Sequence, residues 1–240
     1  QSKVGVIFGE SADEIERFGE SAAKALGQSK TQAMNAAATF ATFGKSAGLT
    51  GDELAGFSTE FTTLASDLAS FNNTSPEEAV VALGAALRGE SEPIRKYGVL
   101  LDDATLRAQA LKMGLIDSVK QALTPQQKAL AASQVILKQT DKAQGDFART
   151  SGGLANQQRI LAAQFENVKA KLGAQLLPVA VKVAQWLTSS FIPAAAKVWA
   201  FLKEKLGPVF VQVGEIMGKV GDWVRERLIP ALSQFKDDAG

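Results

Sequence analysis

Between Arg88 and Tyr97 the chain gathers most of its candidates for chemistry: Arg88, Glu90, Glu92, Arg95, Lys96 and Tyr97. Glu90 and Glu92 are the residue types that cleave glycosides, one carboxyl held protonated as the acid and the other ionised. That reaction needs an acid set in an aromatic-lined sugar groove, and the flanking sequence supplies none. Arg88, Arg95 and Lys96 could contact an anionic ligand or a partner. Interleaved with two glutamates, they read more simply as a solvated ion-pair cluster around one turn, which contributes little to stability. Tyr97 is the sole tyrosine. It is expected to bury its ring and place its hydroxyl on a nearby carbonyl. Gly84, Gly89 and Gly98 do not form a phosphate loop, because no Gly-Lys-Ser/Thr follows a strand.

What is missing narrows the chemistry further. The 240 residues contain no His and no Cys. The commonest general base and metal ligand is thus absent, together with thiolate catalysis, disulfides and Cys-bound zinc. No catalytic residue, metal or cofactor is expected, and no enzyme class is favoured. Twenty-six basic residues against twenty-five acidic ones leave a net charge of +1, without the basic face of a duplex binder. Sequence-specific nucleic-acid binding is therefore not expected. No uncharged apolar run reaches the 18 or so residues of a membrane span; the longest stretch, Val183 to Ala196, includes Gln185, Thr188, Ser189, Ser190 and Pro193. The chain opens at Gln1 with neither a Met nor a charged-then-apolar leader, and reads as an internal piece of a longer protein.

The elements that would position these residues read as helices almost throughout. Ser11 with Asp13 and Glu14 opens one with Ile15, Phe18, Ala22 and Ala25, ended by Gly27. Ser29 caps a second with Ala33, Ala36, Phe40, Phe43 and Ala47. Thr50, Asp52 and Glu53 open a third with Leu54, Phe57, Phe61, Leu64, Leu68 and Phe71. These three- and four-residue steps belong to helices that pack lengthwise. Ser75-Pro76-Glu77-Glu78 combines a cap, a proline where its missing N–H is harmless, and two acids at the positive helix end. Val80, Leu83 and Leu87 then form one face, and Ala79, Ala82 and Ala86 a small one. Gly89 suits a left-handed C-terminal position. Asp102 or Asp103 caps the next helix, with Leu106 and Leu111 before Gly114, and Thr124-Pro125 opens another with Leu130, Val135, Ile136 and Leu137. Val4 to Phe8 is the one short apolar run that could pair as a strand or dock as an extended arm. Gly152-Gly153 is the clearest break, and it divides a helical bundle over residues 1–152 from an extended region over 153–240.

Beyond the break, Leu161, Phe165, Val168, Leu172, Leu176, Val179, Val183 and Trp186 form one long stripe that passes through Pro178. An interior proline removes a hydrogen bond and costs about 3 kcal/mol, so the helix bends or restarts there. Three blocks then repeat: Trp186 to Pro193, Phe201 to Pro208 and Trp223 to Pro230 each set an aromatic seven residues before a proline. Proline spacings of 15, 15 and 22 residues keep these marks near one helical side. Trp186, Trp199, Phe201 and Trp223 are expected to act as packing knobs in a bundle or self-association seam. The competing use is anchorage at a lipid surface, which the charge of +3 between Pro178 and Pro230 supports weakly.

The segment Ala82 to Leu111, ALGAALRGESEPIRKYGVLLDDATLRAQAL, resembles the shared core segment of the tape measure proteins of long-tailed bacteriophages and their prophages. Aromatics recurring at helical intervals are a habit of the same family. The resemblance implies an all-α fold, a helical bundle followed by long proline-kinked amphipathic helices. It implies a structural role as length-setting ruler and assembly scaffold inside the tail tube, and a part in genome ejection. The implied partners are tail tube and tail-tip proteins, tail assembly chaperones, further copies of the chain in a small homo-oligomer, and a host membrane. The implied location is the virion, in the tube lumen or tail tip, after a stage in the host cytoplasm. Arg88, Arg95, Lys96, Tyr97, Trp186, Trp199, Phe201 and Trp223 are the interaction candidates. The alternative is an amphipathic helical module that binds lipid or membrane surfaces.

Overall fold

The computed structural model describes residues 3–228, apart from the side chains of residues 208–210 and 228. The fold is all-α, and no strand occurs among the described residues. The chain forms two compact units, the first running to Leu172 and the second starting at Gly173.

In the first unit, α1 (Lys3–Phe8) leads through a 3-10 turn into α2 (Ala12–Leu26), followed by α3 (Lys30–Ser46), α4 (Gly51–Phe71) and α5 (Pro76–Leu87). A 3-10 turn over Arg95–Tyr97 precedes α6 (Asp103–Lys112), α7 (Pro125–Gln139), the single-turn α8 (Asp146–Arg149) and the long α9 (Leu154–Trp186). The expected strand or extended arm at Val4 to Phe8 is instead α1. Val4 and Phe8 lie four apart on one helical face and are buried in a cluster with Ile15, Ala37, Ala41 and Leu54. A short apolar run has no intrinsic preference strong enough to resist that burial.

The caps act largely as their residue types dictate. Ser29 and Thr124 close reciprocal capping boxes with Gln32 and Gln127, Ser75 accepts from Glu78 N–H, and Asp102 from Thr105 N–H. Ser11 and Thr50 occupy cap positions without bonding their helices' N–H groups. The Ser11 hydroxyl donates to Asp52 Oδ1 instead, at 3.1 Å, tying the α2 start to the first turn of α4.

The main core joins Phe40 of α3, Phe61, Leu64 and Leu68 of α4, Leu83 and Leu87 of α5, and Val135 and Ile136 of α7. Helix α5 is covered on both its faces: Ala79, Ala82 and Ala86 are buried together with Leu83 and Leu87. Small residues let the axes come close. A Cβ added to Gly44 would stand 2.6 Å from Leu54 Cδ1, so α3 and α4 meet where a side chain has been dispensed with. Phe71 ends the α4 stripe in solvent, 56% exposed.

The edge of the first unit lies beyond Gly152-Gly153. Those glycines mark the start of α9, but Asn156, Ile160 and Ala163 of α9 are buried, and Asn167 Oδ1 accepts from Lys30 N–H at 2.8 Å. The compact unit therefore keeps the first five turns of α9. A glycine pair shows where backbone regularity stops, whereas a unit ends where burial stops.

In the second unit, α9 continues through Pro178 without interruption, so no restart occurs there. A five-residue π turn, Leu187–Phe191, leads to α10 (Ile192–Trp223), and another covers Val224–Leu228. The first lies directly before Ile192-Pro193. A proline ring clashes with the carbonyl four residues back, and a wider turn moves that carbonyl away. The residue before a proline is also crowded, most of all if β-branched like Ile192. Pro178 and Pro208 follow Leu177 and Gly207, and the helix stays α through both. Pro230 lies outside the described residues.

Gly89 is left-handed at φ +95°, and its Cβ position is open. Gly89→Val should therefore lower stability through backbone strain alone, by about 1 kcal/mol or more. An unchanged thermal midpoint would refute the geometry of this turn.

Candidate functional site

The segment from Arg88 to Gly98 leaves the C-terminus of α5, turns at Gly89, and anchors itself by Ile94 and Tyr97. Both side chains are buried, Ile94 fully, in the main core. The Tyr97 hydroxyl meets Thr74 Oγ1 at 3.0 Å, a side-chain hydroxyl rather than the expected carbonyl. The segment connects α5 to α6, and α6 packs chiefly on α7.

The cations of this segment are all paired. Arg88 Nε lies 3.1 Å from Glu90 Oε1, and Arg95 2.9 Å from Glu92 Oε2. Lys96 Nζ lies 2.8 Å from Glu78 Oε2. Arg88 also covers the Phe43 ring and Lys96 the Tyr97 ring. The bond from Lys96 holds the Glu78 carboxyl below its ordinary value, and the same bond raises Lys96. Every one of these charged groups is about half exposed or more. Glu90 and Glu92 thus stand on a surface turn, each beside its own arginine. Such an arrangement fixes the outer shape of the turn around its buried Ile94 and Tyr97 anchors.

Trp186, Trp199, Phe201 and Trp223 are 56%, 70%, 59% and 55% exposed. Among the described residues, only Trp186 of these four touches another ring, that of Phe191, at 5.5 Å between centroids. None of the described residues of the second unit is buried. Within the first unit, α9 already shows two faces. Asn156, Ile160 and Ala163 turn inward, whereas Leu161, Phe165, Val168 and Leu172 stand 52–64% exposed on the opposite side. The strongest apolar stripe in the sequence is therefore not the one that docks α9 onto the bundle.

The residues that do dock it went unread in the sequence. Asn156 Nδ2 donates to Ser70 Oγ at 2.8 Å and to Thr150 Oγ1 at 2.9 Å. Ser70 Oγ donates in turn to Asp146 Oδ2 at 2.6 Å. Arg159 donates to Asn156 Oδ1 and, at 2.9 Å, to the Thr74 carbonyl beyond the end of α4. Buried Asp67 accepts from Gly145 N–H at 2.7 Å and Phe147 N–H at 3.0 Å, so a side chain from α4 caps the start of α8. Gln28 donates to Ser66 Oγ at 2.7 Å. One available signal was Asp67 itself, a carboxylate placed among Leu64, Ala65 and Leu68 on an apolar helix face.

Two open grooves flank this network. One of about 890 Å³ runs between α2, α8 and α9, lined by Lys24, Ala25, Phe147, Asn167 and Val168 among others. The other, about 470 Å³, is bordered by Phe18, Leu26, Glu60, Leu64 and Asp67. Burial raises the Glu60 carboxyl above its ordinary value. Among the described residues no cluster of acids could hold a metal ion, and no helix is long and apolar enough to cross a membrane. No protein-family model, curated protein or solved structure matches this chain.

Burial is the largest influence on the Asp67 carboxyl and raises its pKa above 3.8, with the neighbouring Asp146 charge adding to the rise. The Gly145 and Phe147 N–H groups and Arg149 pull the other way. The folded state therefore holds this proton more tightly than the unfolded chain. Its contribution to stability is complete below the ordinary aspartate range and is lost as pH rises through the folded pKa. Measured against Asp67→Asn, the wild-type chain should lose relative stability as pH climbs from below 3.8 towards neutrality; a gap that is flat with pH would refute the shift. Below pH 3.8, Asp67→Ala should cost about 2 kcal/mol or more, because two N–H donors lose their acceptor.

Proposed function

We propose that the chain is a structural component of a long-tailed phage or prophage tail, part of a tape measure protein that sets tail length from within the tube. The observation that carries this reading is the Ala82 to Leu111 segment and its resemblance to that family's core. In the fold this segment is a buried small-residue helix, a charged surface turn and an Asp-capped helix. The apolar stripe that remains uncovered along α9 and α10 supports the same role. A helix whose apolar side finds no cover among the described residues is suited to contact further copies or the wall of a tube.

The ruler has a simple physical basis. A helix advances about 1.5 Å per residue, so residue count becomes length wherever the chain is held extended. In this reading the first unit is an assembly and docking module, served by tail assembly chaperones and tail-tip proteins. The α9–α10 region belongs to the length-setting part, and departure from the tube ahead of the genome would bring it to the host envelope. The lipid-surface alternative rests on the exposure of Trp186, Trp199 and Trp223 and on the charge of +3 between Pro178 and Pro230.

Two measurements separate these readings. Deleting a block of α10 in frame from the phage or prophage gene should shorten the tail by about 1.5 Å for each residue removed, read by electron microscopy of virions. Tails of unchanged length would count against the ruler. In flotation with anionic liposomes the isolated chain should stay in the protein fraction; wholesale partition into lipid would favour the alternative.

A further inference from the structure

Helix α10 contains four glycines, at positions 207, 214, 218 and 221. Glycine is a poor helix former, and a surface helix with no partner gains nothing from it. At 100° per residue these four fall within about 60° of one another, and Ala196 and Ala200 fall in the same band. A Cβ added to any of the four glycines would meet nothing within 4 Å. Among the described residues the band is therefore an empty groove, not a close contact.

Beside the groove runs a ridge. Ile192, Trp199, Leu206 and Met217 lie within about 100° of its centre, all on one flank, and Val211 borders the other. They are 57%, 70%, 42%, 65% and 63% exposed, in that order. Lys203 lies at the groove's edge, 11 residues before Gly214, and Glu204, Glu215 and Asp222 stand beside Val211 on the far flank, about 70–90° from the groove's centre, so the uncharged approach to Gly214–Gly221 is from the Ile192–Met217 side. A helix with both a groove and an adjoining ridge is complementary to itself, because ridge can enter groove in both directions. The exposed surface of the five flanking residues is on the order of 600 Å² per copy, so a pair would bury about 1,200 Å², the lower edge of a stable specific interface.

We propose that α10 packs lengthwise on α10 of a second copy of this chain, the ridge of each lying along the Ala196–Gly221 band of the other, with the closest approach at Gly214–Gly221. The proposal deepens the reading above by naming the face through which copies associate, and it rests on that reading only in taking association as part of the role. Close approach of the two backbones explains why glycine, rather than alanine, occupies the band.

The test is sedimentation velocity of the full chain against Gly214→Leu/Gly218→Leu and Gly214→Ala/Gly218→Ala. The wild-type chain should associate. The leucine pair should weaken association by about ten-fold or more, because large side chains fill the groove. Its circular-dichroism helicity should be retained or raised, since leucine favours helix over glycine, which separates lost pairing from lost folding. The alanine pair should weaken association less than the leucine pair. A leucine pair that associates like wild type overturns the proposal, as does a wild-type chain that remains monomeric or associates only on lipid vesicles. Tail length is a separate readout: tails that shorten on deletion, together with a monomeric chain, would refute this pairing and leave the ruler standing.

Discussion

Helix α4 is the surface against which the first unit is assembled: α1, α2, α3, α5 and α8 all touch it. A helix with so many neighbours has little room for large side chains on every side. Between Leu54 and Ala69 its buried positions accordingly mix Phe61, Leu64 and Leu68 with Ala55, Ser58, Thr62, Ala65 and Ser66. The hydroxyls do not go unpaired there. Ser58 and Thr62 each return a hydrogen bond of 2.7 Å to the carbonyl four residues back, which satisfies a buried polar atom without a distant partner. Ser66 takes an outside partner in Gln28, and Asp67 reaches across to α8. Its two bonds to α8 fix a four-residue helix too short to stand alone.

From that latch the beginning of α9 inherits its orientation. Ser70, Asp146, Thr150, Asn156 and Arg159 form one hydrogen-bonded chain between the end of α4 and the first turns of α9. Ile160 and Ala163 join these polar bonds on the inward side, and the longer apolar stripe is left facing out. The usual assignment docks the larger apolar face of an amphipathic helix; here a narrower, mixed face is docked. The arrangement also makes functional sense of a stripe that continues beyond the compact unit, since an outward apolar seam is available to whatever covers α9 and α10. The charged turn at Arg88 to Gly98 has the opposite character. Its ions satisfy one another at the surface, and its structural weight is carried by Ile94 and Tyr97 below.

The prolines of the second unit show how local chemistry shapes a long helix. Pro178 is absorbed within α9, whereas Pro193 is preceded by a π turn. Both lose the same N–H, and what differs is crowding by the preceding residue, Leu177 in one case and β-branched Ile192 in the other. Of the three aromatic-proline blocks, those that start at Trp186 and Trp223 contain a π turn, whereas the one that starts at Phe201 stays α.

The all-α fold, most helix starts and the left-handed turn at Gly89 were legible in the sequence, because caps, prolines and glycines act over three or four residues and need no distant partner. Burial of the Tyr97 ring was legible too, as the one aromatic inside a charged turn. The sequence by itself could not place the edge of the first unit, since Gly152-Gly153 reports only a local break in regularity. It also could not tell which side of α9 faces inward, because an apolar stripe records a need for cover and not the identity of what covers it. Tertiary structure decided both, through Asp67, Ser70, Asn156 and Arg159, whose partners lie about 80 or more residues away in the chain. Hydrogen bonds between residues so far apart leave no periodicity to read, and only the packed fold brings their atoms within reach.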